Sequence, residues 1–139
     1  MGQTIVTNRY SSGVLDTCTY LDLAELAPAS LPTTPEITAI TIAELNQGVA
    51  MAENAVARAA RNEHLGAALI EFDPLPFDEA AAIRYGSLVA LTIAAKRDPR
   101  PRRMDLLIAA IASARSLPLF TRNATDFRGL DDMVEIVPL

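Results

Sequence analysis

Four acidic side chains stand where an open α/β sheet would gather them: Asp16, Glu44, Asp105 and Asp126. Asp16 closes a short apolar run, Val14-Leu15. Glu44 falls in the first turn of a helix that follows a β-branched segment. Asp105 opens an apolar helix, and Asp126 follows the exit of a short strand, Leu117 to Phe120. In a parallel sheet the carboxyl ends of strands and the starts of the next helices share one edge. Carboxylates from both ends of the chain can therefore meet in one cleft. So placed they repel, and some must take up a proton unless a cation lies among them. Mg²⁺ suits such a set, because it uses one or two carboxylates directly and keeps several waters. The chemistry implied is metal-assisted hydrolysis of a phosphodiester, with an activated water and a stabilised leaving oxygen.

Each acid has a plainer explanation. An acid in a helix's first turn is a good dipole partner, which accounts for Glu44, Asp105 or Asp126 singly. Asp16 is harder to explain that way, since it directly follows an apolar strand. Thr17, Thr121 and Asn123 can orient carboxylates or water beside a metal, or serve as caps and turns. Lys96, Arg97, Arg100, Arg102 and Arg103 place five of the twelve basic residues within eight positions, just before Asp105. They read either as a phosphate-binding patch or as a solvated loop. Cys18 reads as a small buried apolar residue. His64, the single histidine, sits far along the chain from the acids, so a hydrolase triad has no support. Aspartyl-phosphate chemistry would make Asp16 a nucleophile and wants a second Asp at the position of Cys18.

The elements that must position these groups alternate between strand and helix. After Val14-Leu15, a helix is expected over Thr17 to Leu26, then a loop carrying Pro28, Pro32 and Pro35. Glu36 to Thr41 alternates and predicts a strand. Thr41 with Glu44 has capping-box spacing, ahead of a helix from Ile42 to about Asn62 with the stripe Ile42, Leu45, Val49, Ala52, Val56. Ala68 to Phe72 predicts a third strand, and Asp73 to Pro76 a turn. Asp78 should cap a helix running to about Ala95, with Ala81, Tyr85, Leu88 and Leu91 or Thr92 on one side. A loop from Lys96 to Arg103, the Asp105 helix, the Leu117–Phe120 strand and a last strand over Met133 to Val137 complete the chain. Ile5-Val6 is a candidate extra strand. The alternation predicts an α/β fold with a central parallel sheet flanked by helices.

The 139 residues suit one domain, 1–139. Half are apolar and the formal charge is −5, so nucleic acid cannot be held by global attraction. With 5% aromatics and no Trp, stacking several bases on rings is disfavoured. One cysteine excludes an internal disulfide and fits a reducing cytoplasm. The longest uncharged run, Tyr85 to Ala95, is eleven residues, too short to cross a bilayer. No signal peptide is visible.

Four segments, in order, resemble the PIN-domain family, and more closely its VapC-type toxins: Val14-Leu-Asp-Thr17, Thr38-Ala-Ile-Thr-Ile-Ala-Glu-Leu45, Met104-Asp-Leu-Leu-Ile-Ala-Ala110 and Pro118-Leu-Phe-Thr-Arg-Asn-Ala-Thr-Asp-Phe127. Each is weak alone; four in register are specific. The resemblance implies a three-layer PIN-like fold and a Mg²⁺- or Mn²⁺-dependent endoribonuclease acting on structured RNA such as tRNA or rRNA. It implies that Asp16, Glu44 and Asp105 are the regular metal-binding acids and Asp126 the more variable fourth, supported by Thr121 and Asn123. It also implies a homodimer and a cognate VapB-type antitoxin that blocks the cleft. The family usually begins near the first strand, so residues 1–12 read either as an N-terminal extension or as sequence ahead of a later true start. The competing reading is a catalytically silent PIN-fold binding module.

Overall fold

The computed structural model describes residues 10–139; the expected Ile5-Val6 strand lies outside them. At its centre are four short strands, β1 (Ser12–Leu15), β2 (Thr34–Glu36), β3 (Leu119–Thr121) and β4 (Ile136–Pro138), in the order β2-β1-β3-β4. Every pairing is parallel, with Val14 opposite Glu36 and Leu119. Around the sheet run α1 (Thr17–Leu21), α2 (Ala39–Ala50), α3 (Ala55–Glu71), α4 (Glu79–Ala94) and α5 (Arg103–Ala114).

Successive side chains of a strand face opposite sides of the sheet. Val14 and Leu119 therefore enter one core, with Leu88 of α4 and Leu106, Ile108 and Ala109 of α5. Leu15 and Phe120 enter the other, with Tyr20 of α1, Leu45 of α2 and Ala68 of α3. A sheet buried on both faces needs nearly continuous apolar strands, which is how Gly-Val-Leu and Leu-Phe read. Gly13 is required by close approach. A Cβ there would come within 2.4 Å of the Phe120 ring.

Two helices form as the sequence indicates. The Asp78 carboxylate accepts from the Ala81 N–H and caps α4, and Ala81, Leu88 and Thr92 are its buried face. α5 carries buried Leu106 and Ile108 to Ser113 through the middle of one core. Its first turn already includes Arg103, with Asp105 inside that turn.

Other expectations are corrected. Helix α1 stops at Leu21 and a 3₁₀ turn, Leu23–Glu25, follows. The strand placed at Glu36–Thr41 is instead Thr34–Glu36, because Thr38 accepts from the Thr41 N–H and starts α2 early. Thr41 is therefore inside the helix and buried, and Glu44 lies one turn deeper than the first turn. The single helix to Asn62 is two helices, since Asn54 caps a new one through the Ala57 N–H. Val56, expected on the buried stripe, is 82% exposed. Ala68–Phe72 is not a strand but the last turn of α3 and its C-cap. The sheet contact expected there is made by Leu75, which pairs with Thr38 in an isolated parallel bridge. The two terminal strands sit later than their apolar runs suggest, at Leu119–Thr121 and Ile136–Pro138.

Candidate active site

In a sheet ordered 2-1-3-4 the chain leaves β1 toward one side and returns on the other. This leaves a crevice beyond the carboxyl ends of β1 and β3, the place where open α/β sheets bind ligands. Asp16 is the first residue past β1 and Thr121 the last residue of β3. Asp16 is only 4% exposed. One of its carboxylate oxygens accepts from the Thr19 N–H at 3.1 Å, so it caps α1. The other accepts from the Thr121 hydroxyl at 2.7 Å, fully buried. Thr121 Oγ1 in turn accepts from the Asn123 N–H at 2.9 Å, and Thr19 Oγ1 from the Arg122 N–H at 3.1 Å. A buried carboxylate needs such partners, and these fix its orientation.

Glu44 reaches the same crevice from α2. Its carboxylate accepts from the Thr17 hydroxyl at 2.7 Å, and Thr17 and Thr41 share a further hydrogen bond of 2.9 Å. Asp105 comes from the first turn of α5 and is half-buried. Burial pushes its pKa up to about 6, and the charges of Asp126, Asp16 and Glu44 add to that, with Arg102 acting in the opposite sense. The four acids thus share one electrostatic environment. Among the described residues, neither the Asp105 nor the Asp126 carboxylate accepts a hydrogen bond. Asp126 lies on an exposed 3₁₀ turn, Ala124–Phe127, and Asn123 is exposed just before it. Asn123 enters the network through its backbone N–H rather than its side chain.

Among the described residues no three His, Cys, Asp or Glu side chains are gathered closely enough to hold one ion by themselves. The donors are hard oxygens, and the upward push on Asp105 from burial and from the neighbouring acids is what a divalent cation would relieve. Cys18, at the same edge, is exposed and not the buried apolar residue expected. Burial and then Asp16, Asp105 and Glu44 push its thiol pKa up, so it is a poor nucleophile.

The basic loop divides. Arg100 pairs with Asp98 at 2.9 Å, and that contact pulls the exposed Asp98 down to about 2. Lys96 ends α4 in a left-handed conformation, φ 59°, and Arg103 is exposed on α5. Arg97 and Arg102 turn toward the acids. Arg97 donates to the Thr125 carbonyl at 2.7 Å, beside Asp126. Arg102 donates to the Asp98 carbonyl at 2.8 Å, while its Nε is buried without a partner among the described residues. Desolvation lowers the Arg97 pKa, and so do Arg102 and Arg128, which therefore lie near it. Arg128, whose backbone N–H also meets the Thr125 carbonyl at 3.3 Å, was invisible in the sequence because it is distant from the loop. So were Thr19 and Thr41, ordinary helix residues whose hydroxyls happen to meet the site. Arg122, at the exit of β3, is paired instead with Asp22 and Glu25.

A four-stranded parallel sheet with acids from β1, α2, α5 and the β3 exit at one edge defines the PIN-domain class. The comparisons agree and go further. The chain is 33% identical over 129 residues to Ribonuclease VapC5 of Mycobacterium tuberculosis, covering 91% of this chain and 93% of that protein. The crystal structure of VapBC-5 from the same organism, a member of the VapBC family of toxin–antitoxin systems, superposes with a TM-score of 0.81 at 35% identity, over 93% of this chain and 99% of that one. FitAcB from Neisseria gonorrhoeae gives a TM-score of 0.66 at 26% identity, over 88% and 94%. VapBC2 of Rickettsia felis, bound to a promoter DNA fragment, shares the fold at a TM-score of 0.71 and 20% identity, over 92% and 98%. No family model matches the chain. On these relatives the chain belongs to the VapC ribonuclease family.

Proposed function

We propose that this chain is a metal-dependent endoribonuclease and the toxin of a toxin–antitoxin pair, acting in the cytoplasm on structured RNA such as tRNA or rRNA. The observation that carries the reading is the placement of Asp16, Glu44, Asp105 and Asp126 along the carboxyl edge of the sheet, with Asp16 and Glu44 held there by Thr121 and Thr17 and all three other acids acting on Asp105. Asp16, Glu44 and Asp105 would hold Mg²⁺ or Mn²⁺ together with bound water, with the exposed Asp126 beside them. A bound divalent ion supplies charge stabilisation at the phosphodiester and lowers the pKa of a water. The chain's own residues do the rest. Thr121 and the Thr19 N–H hold the Asp16 carboxylate in one orientation. Thr17 does the same for Glu44. Arg97, Arg102 and Arg128 flank the acids with positive charge, where they would bind RNA phosphates; Arg100 is paired with Asp98, and Lys96 and Arg103 are exposed.

The related structures are of VapBC toxin–antitoxin complexes, and a VapB-type antitoxin is the partner expected here. Exposed apolar side chains on α3 and α4, among them Val56, Leu69, Ile70, Ile83 and Ile93, give area for that partner and for a second copy in a homodimer. Among the described residues no helix is long and apolar enough to cross a membrane.

The test is cleavage by purified, antitoxin-free protein of tRNA and rRNA in Mg²⁺, beside EDTA and Asp16→Asn. Wild-type cleavage that stops in both controls is the expected result. Cleavage surviving in Asp16→Asn would overturn the site, and no cleavage of any RNA would favour the binding-module alternative.

A further inference from the structure

The carboxylate crevice has an annex. A cavity of about 400 Å³ opens between α1, α2 and α3, and Thr17 and Glu44 form one of its walls. It is therefore continuous with the proposed catalytic edge. Leu21 and Leu45 give it apolar sides, and Arg61 and His64 stand on the α3 side. Its floor includes Gly48, whose missing side chain leaves the space open. A Cβ there would meet only the Arg61 Cδ, at 3.8 Å. Arg61 donates to the Gly48 carbonyl at 2.6 Å, which uses one of the five N–H groups of a guanidinium. The remaining N–H groups, and the His64 ring, are polar and able to stack. Nothing in the hydrolytic chemistry uses these residues.

We propose that this cavity receives one unstacked nucleobase of the RNA substrate, next to the phosphate that is cut. The proposal rests on the ribonuclease reading above. Sequence-specific reading of RNA acts on bases splayed out of a loop, stacked on His or Arg planes and hydrogen-bonded at their edges. The cavity offers that combination, apolar sides from Leu21 and Leu45 with Arg61 and His64 contributed by α3. It lies in the size range of small-ligand pockets. It also explains how an acidic chain poor in aromatics could choose a cleavage position without a stacking platform. A single buried base supplies the choice.

Two measurements test this together. The first is the cleavage profile of the full-length protein on a pool of RNA hairpins with randomised loops, compared with Gly48→Leu, which fills the cavity, and His64→Ala. Melting curves verify that both variants fold. The second is binding of Asp16→Asn to hairpins carrying 2-aminopurine at successive loop positions, which reads base insertion without needing turnover. The expected result is a base preference at one fixed position relative to the cut, with 2-aminopurine emission changing at that same position. Gly48→Leu should abolish both signals, and His64→Ala should lower kcat/KM on the preferred loop about tenfold while sparing poor loops. Preference and emission unchanged in Gly48→Leu would overturn the proposal. If wild type fails to cut any RNA, the ribonuclease reading fails, whereas the emission result still decides the cavity.

Discussion

The two halves of the acid cluster are built differently. Asp16 and Glu44 are braced: three hydrogen bonds, from Thr19, Thr121 and Thr17, hold their carboxylates. Asp105 and Asp126 have no such bond among the described residues, and Asp105 is held at a pKa of about 6 by burial and by its neighbours. One half is preorganised by protein donors. The other carries electrostatic strain that only a proton or a cation relieves. A divalent cation, as proposed above, would use both: fixed ligands that set geometry, and uncompensated charge that supplies affinity.

The sharpest way to break the braced half is Thr121→Val, which removes the buried donor and keeps the shape. It leaves an Asp16 oxygen without its partner, at a cost of about 1–3 kcal/mol in stability. Loss of an orienting contact of this kind lowers metal affinity or activity by about 10–100-fold. Thr17→Val should sit at the lower end of that range, because Glu44 is less buried than Asp16. Calorimetric Mg²⁺ titration beside RNA cleavage assays checks both. Equal activity in Thr121→Val and wild type would mean that the bracing is structural only.

The positive flank can be divided in the same spirit. Replacing Arg97, Arg102 and Arg128 together by Gln should weaken RNA binding more than replacing Lys96, Arg100 and Arg103. Each lost phosphate contact to single-stranded RNA removes about 0.7 from the slope of log K against log salt. The first triple variant should flatten that slope by about 2, and the second by well under 1, because Arg100 is already paired with Asp98. Similar slopes for the two would return the whole loop to a single undivided patch.

The strained half is broken by relieving it. The folded Asp105 pKa of about 6 lies above an unfolded value of about 3.9. The fold therefore binds this proton more tightly than the unfolded chain does. The resulting stabilisation is complete below about pH 4 and is lost as pH rises through 6. Two units would correspond to nearly 3 kcal/mol for a fully buried group, and partial exposure reduces that to about 1 kcal/mol. In metal-free protein at pH 7.5, Asp105→Asn should accordingly melt about 4 °C higher than wild type. At pH 4.5 the gap should close, and Mg²⁺ should raise the wild type alone. A wild type that melts higher than the variant at pH 7.5 without metal would contradict the strain.

The same contrast separates what was legible in the sequence from what was not. Asp16 was marked by the apolar run before it, and Asp105 by the helix it opens, so local pattern sufficed. Thr17 and Thr121 were legible as residues able to orient a carboxylate, but which acid each would meet was not, because Thr121 and Asp16 are 105 positions apart and meet only through the β1–β3 pairing. Thr38 rather than Thr41 caps α2, since two threonines at similar spacing look alike until the fold buries one. Ala68 to Phe72 reads as a strand because Leu69 and Ile70 are apolar and adjacent. In the fold they extend α3 and point outward, Ile70 being 87% exposed, so an apolar pair meant for a surface mimics one meant for a sheet. The Arg128 contribution needed the Ala124–Phe127 turn to fold back beside Arg97.

Asp126 gives the smallest effect and the finest test of the comparison. It is exposed, unbraced and mounted on a 3₁₀ turn, yet its charge is the strongest of the three neighbouring acids acting on Asp105. A group so placed contributes field more than a fixed coordination position. Asp126→Asn should thus lower Mg²⁺ affinity only about threefold, or roughly 0.7 kcal/mol, and the loss should shrink at high salt, because exposed charge is screened. Its effect on kcat at saturating Mg²⁺ should be smaller still. If instead Asp126→Asn abolishes cleavage as Asp16→Asn does, at any Mg²⁺ concentration, then the exposed turn closes on the metal in the working enzyme. The division between braced and strained acids would then hold only in the absence of the ion.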